Sequence, residues 1–189
     1  MPILTVADSK PLYKGRVFSL HRDTVALSDG AATTVDVIRH PGASAVVPLS
    51  RNGRILLIRQ YRYCIGQTIW EIPAGTVEPG ETPMACARRE LEEEAGVTAE
   101  HWDPLTTLTP VPGYSDERIH LFAARGLTPA AQRLDPDEIL EPRMVSWKSA
   151  ISMIRKGEIG DAKTICGIYL AREYLEGRGE PTKSESDDN

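Results

Sequence analysis

The feature that most constrains this chain is a stretch marked at both of its ends. Thr82 offers a side-chain oxygen to cap a helix, Pro83 follows at the first helical position, and Gly96 stands thirteen residues after Pro83, ready for a left-handed C-cap. The spacing predicts a helix over 82–95. At about 100° per residue, Glu94 lies about 40° from Glu90 on one side and Glu93 about 60° on the other, so three carboxylates share one face. Met84, Ala87, Leu91 and Ala95 form an apolar stripe beside them, by which the helix docks on a sheet and its acidic face is held. Carboxylates that close repel one another unless a cation neutralises them. An all-oxygen set without His or Cys suits Mg²⁺ or Mn²⁺, and Mg²⁺ commonly takes part of its shell from a substrate phosphate. Taken alone, three Glu in five residues also describe an ordinary solvated helix face.

The rest of the chain bounds what surrounds this helix. With 189 residues, 41% of them hydrophobic, one domain with its own core is expected. The formal charge of -5 argues against a nucleic-acid partner, and no run of 18 apolar residues exists to span a membrane. Cys64, Cys86 and Cys166 make an odd set with no C-x-x-C pair, which points to a cytoplasmic protein without a disulfide framework. His21, His40, His101 and His120 accompany no nucleophile motif.

Alternation from Val17 to Arg22, a turn at Ser28-Asp29-Gly30 and a run from Thr33 to His40 read as a β-hairpin. Ala45–Leu49 and Ile55–Ile58 flank Arg51-Asn52-Gly53 and begin the main sheet. Further strands are expected at 70–72, closed by Pro73-Ala74-Gly75, and at 102–109, 119–123 and 143–147. Helices are expected at 149–158 and 162–175. The element order is that of an α+β or mixed α/β fold.

The helix and its approach read G-x5-E-x7-R-E-L-x-E-E-x-G-V from Gly75 to Val97. At every position this resembles the Nudix box of the Nudix hydrolase family. The resemblance implies an α/β/α sandwich and a Mg²⁺- or Mn²⁺-dependent hydrolase of nucleoside diphosphates linked to another moiety. It implies Glu90 and Glu94 as main metal ligands, with Glu93 and the Ala74 carbonyl in the shell, and Arg89 orienting the carboxylates. Glu81 holds the loop against the helix, while Gly75 and Gly96 supply backbone conformations that side chains resist.

Three flanking runs are similar to the ADP-ribose pyrophosphatase branch: Arg59-Gln60-Tyr61-Arg62, Trp70-Glu71-Ile72-Pro73-Ala74-Gly75, and Pro110-Val111-Pro112-Gly113-Tyr114-Ser115-Asp116-Glu117, with Pro112 fifteen residues beyond Val97. On that resemblance Arg62, Ser115 and Glu117 meet the diphosphate or ribose, and Tyr61 is a candidate to stack on the base. The general base is expected in the loop from Leu134 to Ile139, Glu138 before Asp137, with Glu93 as the alternative. The expected reaction turns ADP-ribose into AMP and ribose 5-phosphate. GDP-mannose or another nucleotide sugar is the alternative substrate, and a non-catalytic nucleotide-sugar sensor the less favoured reading. The segment 12–40 resembles one that members of the branch exchange across a homodimer. The expected organisation is therefore an N-terminal β-ribbon over 1–42, a Nudix hydrolase domain over 43–176 and a disordered polar tail over 177–189.

Overall fold

The computed structural model describes residues 5–28, 30–134 and 139–177, and the chain forms two units. The smaller holds an antiparallel sheet in the order β1 (Thr5–Lys14), β2 (Ser19–Ala26), β3 (Ala32–Arg39). The hairpin read from sequence is β2–β3, in register from Ser19↔Arg39 to Ala26↔Ala32. Strand β1 falls within the expected ribbon although Asp8, Ser9, Lys10 and Pro11 interrupt its apolar alternation, and all ten of its residues are exposed. Such residues are tolerated on an edge, where half the backbone needs no partner, and the pairing shifts register between Pro11 and Tyr13.

Thr109–Arg118 belongs to this same unit. The Ile38 amide donates to the Tyr114 carbonyl at 2.8 Å, and the Asp116 amide to the Ile38 carbonyl at 3.1 Å. Thr109–Arg118 therefore groups with the strands of the smaller unit, a long-range pairing that no local pattern announces. Gly177 ends the last helix, and the remainder of the expected tail lies outside the described residues.

The larger unit is built on a mixed sheet, with β4 (Ala43–Leu49), β5 (Ile55–Arg62), β6 (Gln67–Glu71), β7 (Ala74–Thr76), β8 (Val97–Leu108), β9 (Ile119–Pro129) and β10 (Leu140–Val145). Its order is β10-β5-β4-β9-β8, with β6 on β5 and β7 on β4. Among the described residues of this sheet only β4 and β9 run parallel, from Ala43↔Ile119 to Leu49↔Arg125.

Period-two alternation divides the core. Ala45, Val47, Ile55, Leu57, Leu121 and Ala123 face one side, where Trp147 and Ala150 of α2 (Trp147–Arg155) and Ile168, Ala171 and Leu175 of α3 (Ala162–Gly177) cover them. Val46, Leu56, Ile58, Phe122 and Ala124 face the other, under Ala87, Leu91 and Ala95 of α1 (Pro83–Ala95). Helices on both faces of one sheet make the α/β/α sandwich that the resemblance implied. Gly167 sets how closely α3 can seat, since a Cβ there would stand 3.0 Å from both Ile72 and Val47.

Several local readings shift: β8 begins at Val97 rather than at 102, β9 runs on to Pro129, and α2 spans Trp147–Arg155 rather than 149–158. The strand expected to reach Trp147 stops at Val145, because the Ser146 hydroxyl accepts from the Ser149 amide and starts α2. The expected closure at Pro73-Ala74-Gly75 is instead the short strand β7. Strands β4 and β5 pair only at Leu49↔Ile55 beside their turn and then diverge, so β4 takes β7 and β5 takes β6.

The N-terminus of α3 carries a testable load. Asp161 Oδ2 accepts from the Thr164 amide at 2.9 Å and from its hydroxyl at 2.6 Å, and Lys163 pairs with it at 2.9 Å. Burial pushes the Asp161 carboxyl up, but Lys163 and the Thr164 hydrogen bonds outweigh burial and hold it below its ordinary 3.8. A carboxyl lowered in the folded state stabilises above its unfolded pKa, and that contribution is lost as pH falls through the folded value. Asp161→Ala should therefore cost about 1–2 kcal/mol at pH 7. In thermal melts the gap to wild type should narrow below pH 3.8. A gap constant from pH 7 to acid would refute the assignment.

Candidate active site

The segment from β6 into β7 is where the larger unit gathers its charged side chains. Helix α1 is fastened beside it from several directions. The Thr82 hydroxyl accepts from the Ala85 amide at 3.2 Å, and Gly96 closes the other end at φ 63°. The buried Ser44 hydroxyl of β4 donates to the Pro83 carbonyl at 2.7 Å. Cys86 donates its S–H toward the carbonyls of Gly75 and Thr76, both at 3.5 Å. Burial first, and then the charge of Glu90, pushes its thiol up to about 11, so it remains protonated and suited to that role.

Fastened in this way, α1 presents its carboxylates to β7. Glu94 is 3% exposed, and its Oε2 accepts from the Ala74 amide at 2.8 Å. Glu90 is nearly as buried, and its carboxylate fills the space above Gly75, where a Cβ would lie 1.7 Å from Glu90 Oε1. This corrects one expectation: Gly75 is not among the glycines with positive φ, whereas Gly96 is. Glycine is required at 75 because a carboxylate occupies the place of its side chain.

Arg89 ties the acidic group together. Its Nε donates to Glu81 Oε1 and its Nη2 to Glu81 Oε2, both at 3.0 Å, while Nη1 reaches Glu90 Oε1 at 2.6 Å and Glu93 Oε2 at 3.2 Å. Hydrogen bonding to Glu81, with burial opposing, and then the charge and contact of Glu90 and the contact of Glu93 hold the guanidinium above its ordinary range. The same contact with Arg89 lowers Glu81, whose Oε2 also takes the Glu78 amide at 3.1 Å and so braces the loop before α1.

Whether a divalent cation suits these residues is decided by donor chemistry and by the cradle. Glu90, Glu93 and Glu94 supply only carboxylate oxygens, two of them from buried side chains, which fits a hard divalent ion. Among the described residues no three His, Cys, Asp or Glu side chains form a ready-made cage, and Arg89 Nη1 supplies the positive charge between Glu90 and Glu93. The donor set fits an ion once these carboxylates turn toward it.

Arg62, at the end of β5, donates to the buried Glu71 through Nε at 2.9 Å and Nη2 at 2.5 Å. Burial opposes its charge, but Glu71, with Glu94 and Asp161 beyond, raises the guanidinium pKa nonetheless. Tyr61 is half exposed beside it. Ser115 and Glu117 lie in the smaller unit, where the Glu117 amide donates to the Ser115 hydroxyl at 3.2 Å and its carboxylate stands 3.7 Å from His40 Nδ1. Asp137 and Glu138 lie outside the described residues.

Sequence reasoning assigned no role to Glu71, Asp161, Lys163 or Thr164. The available signal was a charged residue inside the apolar run Ile69-Trp70-Glu71-Ile72, since a buried Glu requires partners.

The family model of the NUDIX domain matches residues 38–167. The chain is 38% identical over 162 residues to the ADP-ribose pyrophosphatase of Bacillus subtilis (strain 168), covering 84% of this chain and 88% of that protein. It is 37% identical over 170 residues to the methanol dehydrogenase activator of Bacillus methanolicus, covering 89% and 90%. A crystal structure of an ADP compounds hydrolase matches the fold with a TM-score of 0.82 at 23% identity, covering 95% of this chain and 97% of that one. The acidic helix, its glycine cradle and these similarities agree, and the chain belongs to the NUDIX family.

Proposed function

We propose that this hydrolase of phosphoric anhydrides acts on ADP-ribose with Mg²⁺ or Mn²⁺, releasing AMP and ribose 5-phosphate. The observation that carries the reading is the attachment of α1 to β7, with Glu94 on the Ala74 amide and Glu90 in the cradle over Gly75. The names of the relatives supply the substrate class, and Arg62 beside Glu94 supplies a cation suited to a diphosphate.

A divalent ion, when bound, offsets charge growing on the phosphoryl oxygens and lowers the pKa of water. Glu90, Glu93 and Glu94, with the Ala74 carbonyl, would hold it. Arg89 keeps Glu90 and Glu93 aimed together, Glu81 keeps Arg89 in place, and Arg62 offers its planar fork to the substrate. A carboxylate takes the proton from water; Glu138 is the first candidate, then Asp137, then Glu93.

Phosphate release coupled to alkaline phosphatase tests this over ADP-ribose, GDP-mannose, ADP-glucose and NADH, each with Mg²⁺ and with EDTA. The expected result is preferred turnover of ADP-ribose that EDTA abolishes. Turnover indifferent to EDTA would refute the metal reading, and preference for GDP-mannose would move the substrate to another nucleotide sugar.

We also read the chain as a cytoplasmic homodimer. All three cysteines are free, in keeping with a reducing compartment, and no helix among the described residues is long and apolar enough to cross a membrane. Val6, Tyr13 and Val35 on the three-stranded sheet, and Phe18 in the β1–β2 connection, leave apolar surface exposed. Sedimentation should give twice the chain mass of 20.8 kDa, and a stable monomer would remove the dimer.

A further inference from the structure

Glu71 is 3% exposed and is contacted from two sides. Its Oε2 takes both Arg62 contacts, and its Oε1 accepts from Lys163 Nζ at 3.2 Å. Lys163 also reaches Asp161 at 2.9 Å, so two cations and two anions form a neutral set of four. The chain around Glu71 is fixed as well: the Ile72 amide donates to the Thr164 hydroxyl at 2.9 Å, and two residues further the Ala74 amide binds Glu94. One stretch, 71–75, therefore ties Arg62, the start of α3 and the acidic face of α1 to a single backbone.

The edge of Arg62 in use decides what the pairing can do. Glu71 takes the Nε–Nη2 edge, which leaves the Nη1–Nη2 edge, and Nη1 has no acceptor among the described residues. The Arg62 side chain keeps 39% exposure while Glu71 keeps 4%. A long arginine near Glu94 would otherwise lose rotamer freedom on binding, or fold onto the carboxylates as Arg89 does. Glu71 removes both outcomes by holding the guanidinium from behind with its second donor edge facing outward.

We propose that Glu71 is a positioning residue, which with Lys163 fixes Arg62 so that its free edge meets the diphosphate of the substrate. The inference rests on the nucleotide-diphosphate reading above. Glu71 touches no substrate itself, and its effect passes through Arg62.

The test is a double-mutant cycle in the full chain, with Glu71→Gln, Arg62→Met and both together. It reads kcat and KM for ADP-ribose and, in parallel, the Kd of ADP by calorimetry. Glu71→Gln should raise KM and the ADP Kd by about tenfold, as expected for a misplaced charge-assisted bidentate contact. Its kcat should change by no more than about threefold. In the Arg62→Met background, Glu71→Gln should change neither KM nor Kd further. Additive effects, or a loss confined to kcat, would overturn the proposal. Thr164→Val is the structural control, and it should lower thermal stability while leaving KM unchanged; a rise in KM like that of Glu71→Gln would also overturn it. Should Glu71→Gln fail to fold, Glu71→Asp enters the same cycle. If the wild-type chain binds ADP without hydrolysing ADP-ribose, the hydrolase reading fails alone and the binding cycle still decides Glu71. If it binds no ADP, both fail.

Discussion

Replacing Glu93 or Glu94 by Gln is expected to lower kcat for ADP-ribose by about 10²–10³-fold, the usual loss when one preorganised electrostatic group is removed from a reacting centre. The amide keeps the shape of the side chain but loses the charge that draws a divalent ion. Stability should change by less than about 1 kcal/mol, because neutralising one of three neighbouring carboxylates relieves repulsion. In Glu94→Gln the amide oxygen can still accept from the Ala74 N–H. In Glu93→Gln, Arg89 retains Glu81 and Glu90. Kinetics at saturating Mg²⁺, beside thermal melts, check both halves. A mutant with near-normal turnover would show that its carboxylate is not a metal ligand.

Gly75→Ala should have an effect of similar size by a different route. A methyl group there would lie 1.7 Å from Glu90 Oε1 and 2.1 Å from its carboxyl carbon, so the two cannot coexist. The backbone at Gly75 is not left-handed and accepts alanine, whereas the Glu90 side chain has rotatable bonds and will move. Moving it gives up the 2.6 Å contact with Arg89 and takes one of the two proposed main metal ligands out of position. Activity should fall by about 10²-fold or more, with a higher Mg²⁺ requirement. Overpacking near this buried carboxylate should cost about 1–3 kcal/mol, leaving a folded chain. Titration of activity with Mg²⁺ and far-UV circular dichroism separate the two effects. Normal kcat with an unchanged Mg²⁺ requirement would mean that Glu90 tolerates displacement and is not a main ligand.

These three variants also separate what could be read from the chain alone from what could not. Local rules sufficed wherever cause and effect lie within a few residues. Thr82, Pro83 and Gly96 delimit α1 by satisfying its terminal N–H and C=O groups, and helical periodicity alone places Glu90, Glu93 and Glu94 on one face. Alternation in Ala43–Leu49 and Ile55–Arg62 marks buried strands with two apolar faces, and so a sheet covered on both sides. The motif spacing named the family.

Tertiary structure decided whatever depends on residues far apart in sequence. Gly75 reads as a turn glycine until the Glu90 carboxylate, fifteen positions on, is seen in the place of its side chain. Arg62 reads as a lone cation until Glu71 takes one edge of it, and Glu71 is tolerable in a buried strand only because Lys163, 92 positions away, joins Arg62 against it. Strand β1 and the seating of 109–118 on β3 depend on backbone hydrogen bonds, which any side chain permits and none announces. Side-chain pattern determined which surfaces had to be buried, and chain topology determined which charges would meet once they were.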